Sequence, residues 1–304
     1  MSHLEGGSPR NNAEREPMVR LQTDLIFMRH GVAEKLEGAD ETSAIDALRK
    51  HTPEGVNQVY EGGKKAAVEL GLNPNDSVVI VSRSSPRERA KQTVEGGLQG
   101  FLDQLKEQEM VDKQIDRQTS NKPTRKEFDY GNHTTIYAAG ANRRGSTKGL
   151  SEQWTRHPEI LQQDINKAID FARKDNPEEG NNADELLSGM KTSYQKTVAV
   201  IDRASTMLAE KWRNNDEKKG DKPPRLVVLE GAHGFVSEPW LKEVVSEYEQ
   251  EASEQVPLEL GYGEFFRIHW SSNPQEQPVL HIGGKQISIK QEHLVKLNKP
   301  EGNE

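Results

Sequence analysis

The 304-residue chain is 32% hydrophobic and 30% charged, has a formal net charge of −8 and contains no cysteine. It therefore has no disulfides, no thiolate catalysis and no Cys-ligated zinc, and an acidic chain lacks the general basic face that nucleic-acid phosphates require. No apolar run reaches the length of a membrane span, and residues 1–20 lack the apolar centre of a signal peptide, so the expectation is a cytoplasmic protein with neither membrane nor nucleic-acid partners.

The length allows one large domain or two small ones. The mean hydropathy of −0.88 is low for a compact domain. The apolar segments are distinct and the polar stretches localised, so polar tails and insertions decorating one core fit best. Residues 1–20, with Gly6-Gly7-Ser8-Pro9 and Asn11-Asn12, read as a flexible tail. Residues 21–297 then form one domain with insertions near 106–126 and 132–186, and 298–304 form a C-terminal tail.

The first strand is expected over about Thr23–Met28, running into Arg29-His30-Gly31. Ala44, Ile45, Ala47 and Leu48 suggest a short helix. Thr52 suits an N-cap and Pro53 the first helical position, with the helix running to about Leu70 and stopped by Gly71. Gly62-Gly63 inside it costs about 1 kcal/mol per residue against alanine, which makes a break there conceivable. Val78–Val81 is a short continuous apolar run, as a strand buried on both faces should be. After Ser82-Arg83-Ser84, a helix is expected with Ser85 as cap and Pro86 in its first turn. Ala90, Val94, Leu98, Phe101, Leu102 and Leu105 form its apolar stripe.

Residues 106–126 are polar and resist assignment. Beyond them lie Glu127-Phe-Asp-Tyr-Gly131, a basic glycine-rich loop from Gly140 to Gly149 with Arg143, Arg144 and Lys148, and a helix near Ile160–Arg173. A long helix follows over about Ala183–Trp212, striped by Met190, Tyr194, Val198, Ile201, Leu208 and Trp212. Leu226–Leu229 reads as a buried strand ending in Glu230-Gly-Ala-His-Gly234. A helix from about Glu238 would carry Pro239 in its first turn and Trp240, Leu241, Val244, Val245 and Tyr248 inward. Phe265–Trp270 and Val279–Ile282 read as strands, the latter paired with Gln286–Ile289 across Gly283-Gly284. A short terminal helix closes the chain. Alternating strands and helices predict an α/β fold with a mainly parallel sheet.

Three strands end in polar motifs flanked by glycine or serine, and such ends would converge on one edge of the sheet. If Arg29, His30, Arg89 and His233 meet there, two guanidiniums and two imidazoles would bind a phosphoryl dianion. A neutral imidazole could attack phosphorus while the other groups stabilise the developing charge, a chemistry that needs no metal in principle. The leaving alkoxide needs a proton, for which Glu127 is the first candidate and Asp129 the second. Arg83 and Arg87 compete with Arg89. His133, close to the acid motif, reads as packed or exposed rather than catalytic; His51, His157, His269, His281 and His293 show no ligand-like spacing, and no metal or cofactor is expected.

Five segments in order resemble the histidine phosphatase superfamily, in its phosphoglycerate mutase-like branch. These are Arg29-His30-Gly31 after a strand, Thr52-Pro-Glu-Gly55 with Gln58, Ser84-Ser85-Pro86 through Arg89-Ala90 and Gln92-Thr93, Glu127-x-x-Tyr130-Gly131, and His233-Gly234. The resemblance implies a three-layer α/β/α sandwich with a C-terminal edge hairpin and a helical insertion over the active site. It implies His30 as a phosphorylated nucleophile, a pocket of Arg29, Arg89 and His233 with Ser84 and Gly234 beside them, and Glu127 as proton donor. Arg143 and Arg144 are candidate substrate contacts. Val32 stands where many members carry a polar or acidic residue, and the Trp-Asn that often follows the first motif in mutases is absent.

The expected function is hydrolysis of a small-molecule or protein phosphomonoester through a phosphohistidine. The alternatives are mutase-type phosphoryl transfer and a catalytically weak phospholigand-binding or interaction module. Oligomeric state is open, with a homodimer as one option.

Overall fold

A computed structural model of the protein describes residues 20–37, 48–73, 76–84, 87–109, 115–118, 198–199, 201–214, 222–232, 241, 244–245, 256 and 260–295. Strand β1 (Thr23–Arg29) is followed by helix α1 (Pro53–Leu70), β2 (Val78–Ser84), α2 (Glu88–Glu107) and β3 (Ile115–Gln118). Residues 201–213 are helical (α3), and then come β4 (Arg225–Ala232), β5 (Phe265–Trp270), β6 (Val279–Ile282), β7 (Lys285–Ser288) and α4 (Gln291–Val295).

The seven strands form one sheet in the order β3-β2-β4-β1-β5-β6-β7. The β3–β2, β2–β4 and β4–β1 pairs are parallel, while β5, β6 and β7 add antiparallel strands on the other side of β1. This is the expected α/β architecture with its edge hairpin.

Strand alternation divides the core into two layers. On β1, Leu25 and Phe27 pack into one cluster and Ile26 and Met28 into the other; Leu226, Val228 and Val227, Leu229 divide β4 in the same way. A strand buried on both faces must read as a continuous apolar run, and these do. Val59, Ala66, Ala67 and Leu70 of α1, with Phe101, Leu102 and Leu105 of α2, cover one face. Val198, Ile201, Ala209, Leu241, Val244 and Val245 cover the other. Each fully buried large side chain contributes about 1.5–3 kcal/mol of transfer free energy, so this double-sided burial dominates the fold.

Helix α1 begins as the sequence dictates. Thr52 Oγ1 accepts a hydrogen bond from the Gly55 amide, Pro53 opens the helix, and Gly71 ends it in the left-handed region at φ 59°. No break occurs at Gly62-Gly63. A Cβ on Gly63 would lie 2.0 Å from the Gly97 carbonyl oxygen of α2. The glycines therefore let two helices approach backbone to backbone, and that packing outweighs their poor helix propensity.

The start of α2 differs from expectation. The helix opens at Glu88 with Arg87 in the cap position and no side-chain cap bond; Ser85 and Pro86 lie outside the described residues. A fourth parallel strand, β3, occupies part of the polar stretch that resisted assignment. Leu48 is exposed in a turn. The predicted helix near 160–173, the N-terminal part of the 183–212 helix and the remainder of the 106–126 and 132–186 insertions lie outside the described residues.

At the far end of β1, Asp24 is fully buried and meets Arg225 Nε at 2.5 Å, Arg267 at 3.1 Å and His269 Nδ1 at 3.0 Å. Burial alone would raise its pKa, but hydrogen bonds from His269 and Arg225 outweigh it and hold the carboxyl below its ordinary value. The network fastens β1, β4 and β5 together at the end opposite His30. Among the described residues, no helix is long and apolar enough to cross a membrane.

Candidate active site

Three parallel strands deliver their ends to one edge. Arg29 pairs in register with Ala232, and Ser84 with Gly231, so the ends of β1, β4 and β2 are level. The first turn of α2 packs on that edge: a Cβ on Gly231 would lie 2.5 Å from the Ala90 carbonyl oxygen. Arg89, in the same turn, is only 5% exposed, and its charge acts on both His30 and His51.

Arg29, His30 and Arg89 therefore come together, with Ser84 at the end of β2. His233, Gly234, Glu127, Asp129, His133, Arg143, Arg144 and Lys148 lie outside the described residues. Among the competing arginines, Arg83 pairs with Glu230 at 3.8 Å, both nearly buried, and Arg87 occupies the cap of α2.

His30 has a defined tautomer. Its Nδ1 lies 2.8 Å from the Gly31 carbonyl oxygen. A carbonyl only accepts, so Nδ1 carries the proton and Nε2 the lone pair. Burial, with the charges of Arg89 and Arg29 and against the Gly31 hydrogen bond, pushes the pKa of His30 down to about 3. The imidazole is neutral across the physiological range.

The backbone after His30 is held from α1. Gly31 abuts Gly55 so closely that a Cβ on it would sit 2.1 Å from the Gly55 carbonyl oxygen. The Val32 amide donates to Gln58 Oε1 at 3.0 Å, and the Thr52 amide and hydroxyl both donate to the Val32 carbonyl. The Thr-x-x-Gly-x-x-Gln pattern thus has a local physical reason, since each of its three residues fixes the segment following His30.

Arg29 is anchored from β5. Its amide donates to the Glu264 carbonyl at 2.9 Å, and its own carbonyl accepts from the Gly263 amide at 3.2 Å. Its guanidinium donates to the Leu260 carbonyl and lies 4.2 Å over the ring of Tyr262. Tyr262 is 45% exposed, and its ring centre is 5.8 Å from that of His30. Its only sequence signal is an aromatic residue between two glycines before a strand.

His51 is the second residue that the spacing of the sequence does not reveal. It is 6% exposed, and its ring is stacked beside that of His30 at 6.4 Å between centres, inclined by 28°. Its amide donates to Gln92 Oε1 at 2.7 Å, which ties the residue before Thr52 to α2. Burial, then the charge of Arg89, pushes its pKa down to about 4. Among the described residues, no group of three or more His, Asp or Glu side chains is placed to hold a metal ion.

Two cations beside a neutral imidazole whose lone pair is on Nε2 can bind an oxyanion and attack an electrophilic centre within it.

No protein-family model and no curated protein matches the chain. Among solved structures it is similar to the multiple inositol polyphosphate phosphatase of Bifidobacterium longum in complex with inositol hexasulfate, at 12% identity over 91% of this chain and 88% of that one, with a TM-score of 0.37. It is also similar to SixA of Agrobacterium tumefaciens, at 11% identity over 88% and 97% of the two chains with a TM-score of 0.35. The phytase of Klebsiella sp. ASR1 is similar at 11% identity over 87% and 82%, with a TM-score of 0.33.

Proposed function

We propose that the protein is a phosphomonoesterase of histidine phosphatase type, working through a phosphohistidine at His30. The observation that carries this reading is the His30 tautomer. The Gly31 carbonyl holds the proton on Nδ1 at 2.8 Å, which directs the lone pair onto Nε2 beside Arg29 and Arg89.

In this reading the guanidiniums of Arg29 and Arg89 hold the phosphoryl oxygens. Nε2 of His30 forms a bond to phosphorus as the ester P–O bond breaks, and the Nδ1–H bond to Gly31 stabilises the imidazolium character that develops. Glu127, with Asp129 as the alternative, gives a proton to the leaving alkoxide. The resulting carboxylate then takes a proton from water as that water attacks phosphorus, and the N–P bond breaks. His233 and Gly234 complete the anion pocket, and Arg143 and Arg144 extend it towards the rest of the substrate. Phosphoryl chemistry of this kind is compatible with the absence of cysteine and with a cytoplasmic setting.

Incubation with p-nitrophenyl phosphate and a panel of sugar and glycerate phosphates tests the reading. Release of inorganic phosphate by the wild type, lost in His30→Ala with the fold intact, is the expected result. Isomerisation of 3-phosphoglycerate without hydrolysis would assign a mutase instead, and tight phosphopeptide binding without turnover would assign a binding module.

A further inference from the structure

The proposed steps do not use His51, yet its buried ring is stacked beside that of His30. We propose that His51 is a further ligand-binding residue, its Nδ1 meeting an oxygen of the bound phosphoryl group. The inference rests on the phosphatase reading for the nature of the ligand.

Three observations support it. The first is position. An isolated bridge joins Ala33 to His51, the Gln92 side chain holds the His51 amide, and the ring lies 6.4 Å from that of His30 between centres, inclined by 28°. The residue is thus pinned between the segment after β1 and helix α2, which supply Arg29, His30 and Arg89.

The second is the hydrogen-bond count. Thr93 has one hydroxyl proton, and it goes to the Arg89 carbonyl at 2.7 Å. The 3.4 Å contact between Thr93 Oγ1 and His51 Nε2 then requires Nε2–H to donate. In neutral His51 the lone pair falls on Nδ1, which is buried and has no hydrogen-bond partner among the described residues. A buried acceptor without a donor is costly, and such atoms in native proteins call for an explanation.

The third is the surrounding charge. Arg89 acts on both rings, and burial with that charge keeps His51 neutral when the pocket holds no anion. Around His51 stand Arg89 and Thr93 of α2, Gln92 of the same helix and His30 at the end of β1, with Arg29 beyond His30. A phosphoryl group entering among the two arginines changes that balance. It brings a P–O–H donor to Nδ1, or as a dianion it favours a proton on Nδ1. The two descriptions differ only in where one proton sits along one hydrogen bond, and either satisfies the orphan atom.

The test uses substitutions that replace one ring nitrogen at a time. Asn places a polar atom near the Nδ1 position, Gln reaches towards Nε2, and Leu keeps bulk with neither. Orthophosphate binding is measured by calorimetry on the full chain, with thermal unfolding as the check on folding. The expected result is that His51→Asn stays within about threefold of wild type, while His51→Gln and His51→Leu weaken binding about tenfold or more, equivalent to about 1.4 kcal/mol per factor of ten. Wild-type affinity in His51→Leu would overturn the proposal. So would rescue by Gln and not by Asn, which would make His51 a structural tie to Thr93. If Leu does not fold, the Asn and Gln pair still decides. A wild type that neither binds orthophosphate nor turns over any phosphomonoester overturns the phosphatase reading itself, and this inference with it.

Discussion

The guanidinium of Arg29 lies 4.2 Å over the ring of Tyr262, and the turn bearing that ring is bonded back to the Arg29 backbone through Gly263 and Glu264. The half-exposed aromatic face holds the cation beside His30. An exposed cation–π contact contributes about 0.5–1 kcal/mol. Tyr262→Ala should therefore weaken orthophosphate binding by about two- to fivefold, and Tyr262→Phe should stay near wild type. Calorimetric titration of the two variants measures the difference; equal loss in both would point to the hydroxyl instead.

Gly63→Ala tests the helix contact behind the site. Alanine gains about 1 kcal/mol of helix propensity. Its Cβ, however, would sit 2.0 Å from the Gly97 carbonyl oxygen, a backbone atom that no rotamer change can move away. Overpacking of this kind costs about 1–3 kcal/mol and should win. Thermal unfolding should show a lower Tm, at about 2–4 °C per kcal/mol for a domain of this size. A raised Tm would mean that the two helices separate easily.

Asp24→Asn removes the carboxylate that faces Arg225 and Arg267. One buried and one largely buried guanidinium, those of Arg267 and Arg225, would lose their counter-charge. Breaking a buried pair from one side costs about 3–5 kcal/mol. Chemical denaturation should show that loss as a lower midpoint, and an unchanged midpoint would show that the network contributes little.

Acid should destabilise the protein in two stages. His30 falls to about 3 and His51 and His281 each to about 4, from an ordinary 6.5. Between those values the unfolded chain binds more protons than the folded one. This stability is complete above about pH 6.5 and is lost as pH falls towards 4 and then 3. Asp24 has a lowered folded pKa, so its contribution is present above its ordinary 3.8 and declines below it. Denaturation across this range should show stability rising with pH, with a shallower rise in His281→Gln. An identical slope in that variant would remove His281 from the account.

Much of this was legible in the sequence because local chemistry fixed it. Val78–Val81 and Leu226–Leu229 had to be strands buried on both faces, and Thr52, Pro53 and Gly71 set both ends of α1. The order of polar strand ends indicated one edge, where Arg29, His30 and Arg89 now lie. What escaped depended on distant partners. Gly62-Gly63 looked like a weakness because the Gly97 carbonyl cannot be read from α1 alone. Strand β3 carries no apolar pattern, since Ile115-Asp-Arg-Gln118 joins the sheet beside β2 at its edge. His51 gave no spacing signal, because its relation to His30 and Arg89 arises only when the Thr52 region closes on α2. Tyr262 is brought to Arg29 by antiparallel pairing of β5 with β1, across more than two hundred residues of chain.

The most direct test of the central claim is to trap the intermediate. The wild type is mixed with p-nitrophenyl phosphate, quenched in alkali, which preserves phosphohistidine, and digested for mass spectrometry. One phosphoryl group located on His30 during turnover, absent from His30→Ala, is the predicted result. Turnover retained in His30→Ala, or a phosphoryl group found on another residue with His30 unmodified, would contradict it.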